Sequence, residues 1–135
     1  MDLQLTGKRA LVCGGSSGLG RAVATALVAE GAHVALLSRD AARLQAVADE
    51  LNAMGPGKAV IAPADLADHD ALLKAVDVAE TALGGPIQIL LNNTGGPSPS
   101  GVAGLDPTVW RDQFEAMVLS VFRLTDRVMP GMRAM

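Results

Sequence analysis

Short apolar runs alternate along the chain with longer stretches in which apolar residues recur at spacings of three and four. Arg9-Ala-Leu-Val-Cys13 is the first run and ends in glycines, the pattern of a buried strand entering a tight turn. From Leu19 to Glu30, helix-forming residues carry Val23, Leu27 and Val28, and Gly31 stops them. His33-Val-Ala-Leu-Leu37 is a second apolar run. Asp40 is placed to cap a helix bearing Leu44, Val47, Ala48 and Leu51, closed by Asn52 to Gly57. Lys58-Ala-Val-Ile-Ala62 is a third strand. Asp68 caps a helix bearing Leu72, Leu73, Val76 and Ala79, which ends at Gly84-Gly85-Pro86. Ile87-Gln-Ile-Leu-Leu91 is a fourth strand, followed by a Gly/Pro/Ser-rich loop from Thr94 to Gly101. Asp106-Pro107 opens the last helix, with the acid at the N-cap and the proline in the first turn. That helix is expected to run to about Val128 and to end at Pro130-Gly131.

The order is therefore β-α-β-α-β-α-β-loop-α, with short strands apolar on both faces. Such strands form a parallel sheet covered by helices on each side, and right-handed crossovers leave the doubly wound α/β fold. No repeat or linker divides the chain, so residues 1–135 are taken as one unit. In the last helix Trp110, Phe114, Met117, Val121 and Val128 form a stripe, which Val118 and Phe122 widen. A stripe this wide predicts a second buried face beyond the ordinary core.

Composition narrows the function. With 135 residues, half of them hydrophobic, 19% charged and a net charge of −3, the chain is long enough to bury a core and is no disordered tail. The basic residues are scattered and the balance is acidic, which leaves no electrostatic footprint for nucleic acid. The N-terminus has neither the basic start nor the apolar run of a signal peptide. The most apolar helical stretch, Ala22 to Ala29, is far too short for a membrane span. A single cysteine, Cys13, agrees with a reducing compartment, and a soluble cytoplasmic protein is expected. The chain contains no tyrosine.

Residues 13–20, CGGSSGLG, carry the candidate chemistry and can be parsed in two ways. Gly14-Gly15-Ser16-Ser17-Gly18 fits G-x-S-x-G, the elbow that presents a nucleophilic serine, here Ser16. Gly14, Gly18 and Gly20 fit a turn that brings bare backbone against a dinucleotide pyrophosphate at a helix N-terminus. Position favours the second, because the turn follows the first strand and opens the first helix. The elbow normally lies deeper in the chain, with its acid and histidine downstream. Only His33, at the start of a strand, and His69, at the start of a helix, could serve it. His69 sits among Asp65, Asp68 and Asp70, a pattern that reads as a solvated helix start rather than a metal site. No lysine follows the glycines, so a nucleoside-triphosphate P-loop is excluded. At the end of the second strand, an acid would bind a ribose 2′-hydroxyl; Ser38-Arg39 instead suits a 2′-phosphate.

With these residues in order, the chain resembles the short-chain dehydrogenase/reductase family. The family's T-G-x-x-x-G-x-G motif is met at Gly14, Gly18 and Gly20, with Cys13 for threonine. Its Asp after the third strand is matched by Asp65, followed by Leu66, and its N-N-A-G motif by Asn92-Asn93-Thr94-Gly95. The resemblance implies a Rossmann sheet in the order 3-2-1-4. It implies that Gly14, Ser16, Ser17, Gly18, Leu19 and Gly20 line the pyrophosphate and Ser38 and Arg39 the 2′-phosphate. Asp65 and Leu66 would hold the adenine, and Asn92, Asn93, Thr94 and Gly95 the region near the nicotinamide ribose. NADP(H) is favoured over NAD(H), although Ser17 stands where many NADP-preferring members carry a basic residue. Cys13 is expected to be a small buried residue at a strand end.

The same resemblance implies hydride transfer between nicotinamide and a carbonyl or alcohol, most like the 3-oxoacyl-carrier-protein reductases. The family's serine, tyrosine and lysine fall beyond Met135, and Met117 occupies the position of its helix asparagine. No catalytic residue is therefore assigned within the chain, no metal is implied, and the chain alone is expected to be inactive. Self-association, or association with the remaining half of such a fold, is expected at the unprotected edge of the fourth strand (Ile87 to Leu91) and at the wide apolar helix face. A non-catalytic nucleotide-binding module is the alternative reading, and a hydrolase using Ser16 a remote one.

Overall fold

The computed structural model describes residues 1–94, 101 and 103–135. Four parallel strands form one sheet: β1 (Arg9–Cys13), β2 (His33–Leu37), β3 (Ala59–Ile61) and β4 (Ile89–Leu91). Their order is β3-β2-β1-β4, with Leu11 beside Ala35 and Leu90 in the inner registers. Helices α1 (Gly18–Ala29), α2 (Ala41–Met54) and α3 (His69–Leu83) are the crossovers. After β4 come α4 (Pro107–Phe114), a π turn (Glu115–Leu119) and α5 (Ser120–Arg133), which continue one another.

The two-residue period of the strands builds a core on each face of the sheet. Ala10, Val12, Val34 and Leu36 pack with Ala24 and Val28 of α1 and Leu44, Val47 and Leu51 of α2. Leu11, Cys13, Ala35 and Leu37 pack with Leu72, Val76 and Ala79 of α3 and Leu124 and Val128 of α5. The central strands β1 and β2 are buried on both faces, whereas β3 and β4 lie at the edges and are partly exposed.

The sequence patterning places each strand and helix, and the differences lie at element ends and within the last helix. The third and fourth strands are shorter than the apolar runs Lys58–Ala62 and Ile87–Leu91, because each has a neighbour on one side alone. Their flanks still bond across, as in Gln88 N–H to the Arg9 carbonyl at 2.8 Å. The final helix does not stop at Pro130-Gly131 but continues to Arg133. Met132 packs against the core cluster and holds the last turn in place. The carbonyl deprived of a donor by Pro130 is that of Asp126; both residues are exposed, so water can satisfy it.

The π turn also corrects the expected stripe. The extra residue at Glu115–Leu119 rotates the helix, so the buried face of α5 is Ser120, Leu124 and Val128. Trp110, Phe114 and Phe122 are left 54%, 53% and 60% exposed. Ser120 closes the π turn twice, by its N–H to the Glu115 carbonyl and its hydroxyl to the Ala116 carbonyl at 2.6 Å. The Gly/Pro/Ser-rich segment after Thr94 lies largely outside the described residues.

Candidate functional site

The carboxyl ends of the four parallel strands lie at one end of the sheet. The turn after β1 is built from glycines for distinct reasons. Gly14 has φ +67, and a β-carbon there would stand 2.6 Å from Asn93 Nδ2. Gly20 has no room for a β-carbon because the Gly14 carbonyl occupies that space, so α1 starts directly against the strand end. Gly18 has φ +57 but meets nothing, which leaves its side open. Gly15, not singled out in the sequence, is buried against Leu36; its signal was its place beside Gly14 at a strand end.

Helix α1 begins differently from the helices around it. Asp40, Asp68 and Asp106 cap α2, α3 and α4 by accepting from the amides of Arg43, Ala71 and Thr108. At α1 the N-cap is Ser17, whose side chain makes no capping bond, and the first turn holds no acid. The amides of the first turn, Gly18, Leu19 and Gly20, and the positive end of the helix dipole are therefore left without a side-chain cap or an acid of their own. Ser17 and Gly18 are exposed, Ser16 is half-buried, and Leu19 is 78% exposed.

At the end of β2 the Ser38 hydroxyl is buried with no hydrogen-bond partner, and Arg39 beside it is exposed. The Ala64 amide donates to the Ser38 carbonyl at 2.9 Å, which draws the segment after β3 to this point. That segment carries Asp65, whose Oδ1 accepts from the Ala67 amide at 2.9 Å, and Leu66, half-buried against the core. The exposed Asp65 is thus fixed by its own turn. After β4, the side-chain amide of Asn92 donates to Thr125 of α5 at 3.4 Å, Asn93 abuts Gly14, and Thr94 is half-buried. Thr125 was missed in the sequence because it lies far along the chain on a helix. Gly95 lies outside the described residues. Met117 lies half-buried in the π turn.

Cys13, at the end of β1, is buried, and burial pushes its thiol up to about 11, partly offset by a hydrogen bond from the Asn93 backbone. It is a packing residue at neutral pH rather than a thiolate. Among the described residues neither histidine is placed to activate Ser16. His33 stands at the opposite end of the sheet with Nδ1 accepting from the Lys58 amide at 3.1 Å, and His69 is exposed on α3. Among the described residues no group of three or more His, Cys, Asp or Glu could hold a metal, and no helix is long and apolar enough to cross a membrane.

Gly14 and Asn93 face each other between β1 and β4, on the side where the chain reverses its direction of winding. In doubly wound sheets ligands bind at that crevice, beyond the carboxyl ends of the strands. The open glycine turn, the uncapped helix and the orphaned Ser38 hydroxyl fit a dinucleotide.

Comparison with known proteins decides the family. A model of short chain dehydrogenases matches residues 8–135. The chain belongs to the short chain dehydrogenase family. A short chain dehydrogenase of Pseudocercospora fijiensis is 41% identical over 133 residues, covering 96% of this chain and 42% of that protein. Among solved structures, L-sorbose reductase from Gluconobacter frateurii, complexed with NADPH and L-sorbose, is similar with a TM-score of 0.93 and 31% identity. It is covered over 51% of its chain, and 99% of this one. A 3-oxoacyl-[acyl-carrier protein] reductase from Brucella melitensis with bound NAD gives a TM-score of 0.82 at 30% identity, over 96% of this chain and 52% of that one. The chain thus spans about half the length of these relatives.

Proposed function

We propose that residues 1–135 form the NADP(H)-binding unit of a short chain oxidoreductase that moves hydride between nicotinamide and a carbonyl or alcohol. The observation that carries the cofactor preference is the end of β2. A hydroxyl and a guanidinium, Ser38 and Arg39, stand where an acid would select a ribose diol, and the Ser38 hydroxyl is buried without a partner. Gly14, Ser16, Ser17, Gly18, Leu19 and Gly20 would hold the pyrophosphate, and Asp65 and Leu66 the adenine. Asn92 to Gly95 would flank the nicotinamide ribose. The family's relatives take either cofactor, as the NADPH and NAD complexes illustrate, so the choice rests on these side chains.

Bound nicotinamide would supply the hydride. This chain's own residues bind and orient the nucleotide. With no tyrosine in the sequence, and Met117 rather than a polar residue in the π turn, the family's usual proton donor is not among residues 1–135. That same absence favours a second reading, a nucleotide-binding module without catalysis, which reductase assays on material of verified length would separate. Association through the exposed faces of α4 and α5 and the open edge of β4 belongs to the proposal, as does a cytoplasmic location. The test of the cofactor is direct titration with NADPH and NADH. Arg39→Ala should weaken NADPH by about tenfold or more and leave NADH nearly unchanged; equal loss for both would remove the 2′-phosphate role.

A further inference from the structure

We propose that Arg43 supplies a second guanidinium to the 2′-phosphate of bound NADP(H), from the side where Ser17 offers no charge. The inference rests on the nucleotide reading above. In a helix with 3.6 residues per turn, Arg43, Val47 and Glu50 share one side of α2. Two observations show where that side looks. Val47 belongs to the same core cluster as Ala24 and Val28 of α1, and Glu50 is ion-paired with Arg21 of α1. Arg43 therefore lies on the α1-facing side, and it is the member of this stripe in the first turn of α2. That turn stands at the same end of the sheet as the glycine turn of α1.

The surroundings leave Arg43 unengaged. Its amide is fixed by Asp40 Oδ1 at 3.1 Å, while its side chain is exposed. Among the described residues neither Arg39 nor Arg43 takes part in an ion pair, whereas Arg21 across the groove is committed to Glu50. Asp40, the nearest acid in sequence, already accepts the capping bond. Arg39 before the helix, Arg43 in its first turn and the orphaned Ser38 hydroxyl then offer three donors around one position at the end of β2. A phosphate dianion suits such a set, because charge-assisted bonds from guanidinium are its strongest partners. A 2′-hydroxyl would leave both arginines solvated and gain nothing from them.

Calorimetric titration of the whole chain with 2′,5′-ADP and 5′-AMP tests this. Arg43→Ala should weaken 2′,5′-ADP about tenfold or more and change 5′-AMP by less than about twofold, with Arg43→Lys intermediate. The salt dependence of 2′,5′-ADP binding should fall in Arg43→Ala, and its melting temperature should match the parent because the side chain is exposed. If Arg43→Ala leaves 2′,5′-ADP unchanged, or weakens both nucleotides alike, while Arg39→Ala still loses discrimination, the Arg43 role is wrong and the cofactor reading stands. If the parent chain binds neither NADPH nor 2′,5′-ADP, the cofactor reading itself fails.

Discussion

A β-carbon on Gly14 would stand 2.6 Å from Asn93 Nδ2, so the turn after β1 and the segment after β4 touch directly where a nucleotide would lie. Glycine substitutions should therefore rank by what the new carbon meets. Gly18→Ala meets nothing and bears only the left-handed conformation, about 1–2 kcal/mol. Gly14→Ala adds the Asn93 contact to a positive φ and should lose more. Gly20→Ala drives a carbon into the Gly14 carbonyl, which is backbone and cannot swing aside, so α1 must move. Urea denaturation should give the order Gly18, Gly14, Gly20 in increasing loss. A Gly20→Ala protein as stable as Gly18→Ala would contradict the close approach of α1 to β1.

Much of this was legible because the deciding residues lie within single motifs. Short doubly apolar runs with helical crossovers dictate the parallel sheet, and Asp40, Asp68 and Asp106 announce their helices as caps. What stayed hidden depends on contacts across the chain. The π turn rotates Trp110 and Phe114 away from the buried line of Leu124 and Val128, and no local pattern around Glu115–Leu119 marks it. The passage of α5 through Pro130 depends on Met132 finding the core. Likewise the Ala64 amide, far along the chain, bonds the Ser38 carbonyl, and the Ser38 hydroxyl ends up buried without a partner.

Cys13 should give the fold an alkaline limit. Its thiol is raised from 9.0 to about 11 by burial, so between those values the unfolded chain loses a proton that the folded chain keeps. Stability then falls as pH rises from about 9 to about 11, by up to roughly 2.7 kcal/mol, and is unaffected at neutral pH. Comparing chemical denaturation of the parent and Cys13→Ala across this range isolates the effect, since the alanine protein lacks that component of the slope. Iodoacetamide should label Cys13 in denaturant and leave it untouched in the native protein at pH 7.

Arg127 clamps α5 to α3, donating to Asp77 at 2.8 Å and to Glu80 Oε1 at 2.7 Å, and both acids raise its affinity for the proton. Glu80 in turn accepts the Ile87 amide through its other oxygen at 2.9 Å, so one carboxylate ties the start of the β4 segment to both helices. Arg127→Met would leave Glu80 half-buried without its cation and should destabilise by about 1–3 kcal/mol in thermal or urea unfolding. Asp77→Asn, at a carboxylate that is itself 68% exposed, should lose under about 1 kcal/mol. Equal losses at the two positions would show that Glu80 is not the central member.

Trp110, Phe114 and Phe122 are more than half exposed, and among the described residues β4 pairs with a strand on one side alone. Trp110 and Phe114, four residues apart on α4, share one face, and an exposed aromatic face marks a candidate association surface. The helix face and the strand edge make different predictions for association. Helix-face pairing depends on side chains, so Phe114→Glu and Phe122→Glu should shift the chain toward monomer in multi-angle light scattering without changing its circular dichroism. Edge pairing depends on backbone and would survive those changes, growing instead with β-sheet signal at high concentration. The helices carry the larger apolar side chains, so the expected result is a concentration-dependent oligomer that the glutamates dissolve. A monodisperse monomer of the parent chain at millimolar concentration would remove the association altogether and leave these aromatics as simply solvated.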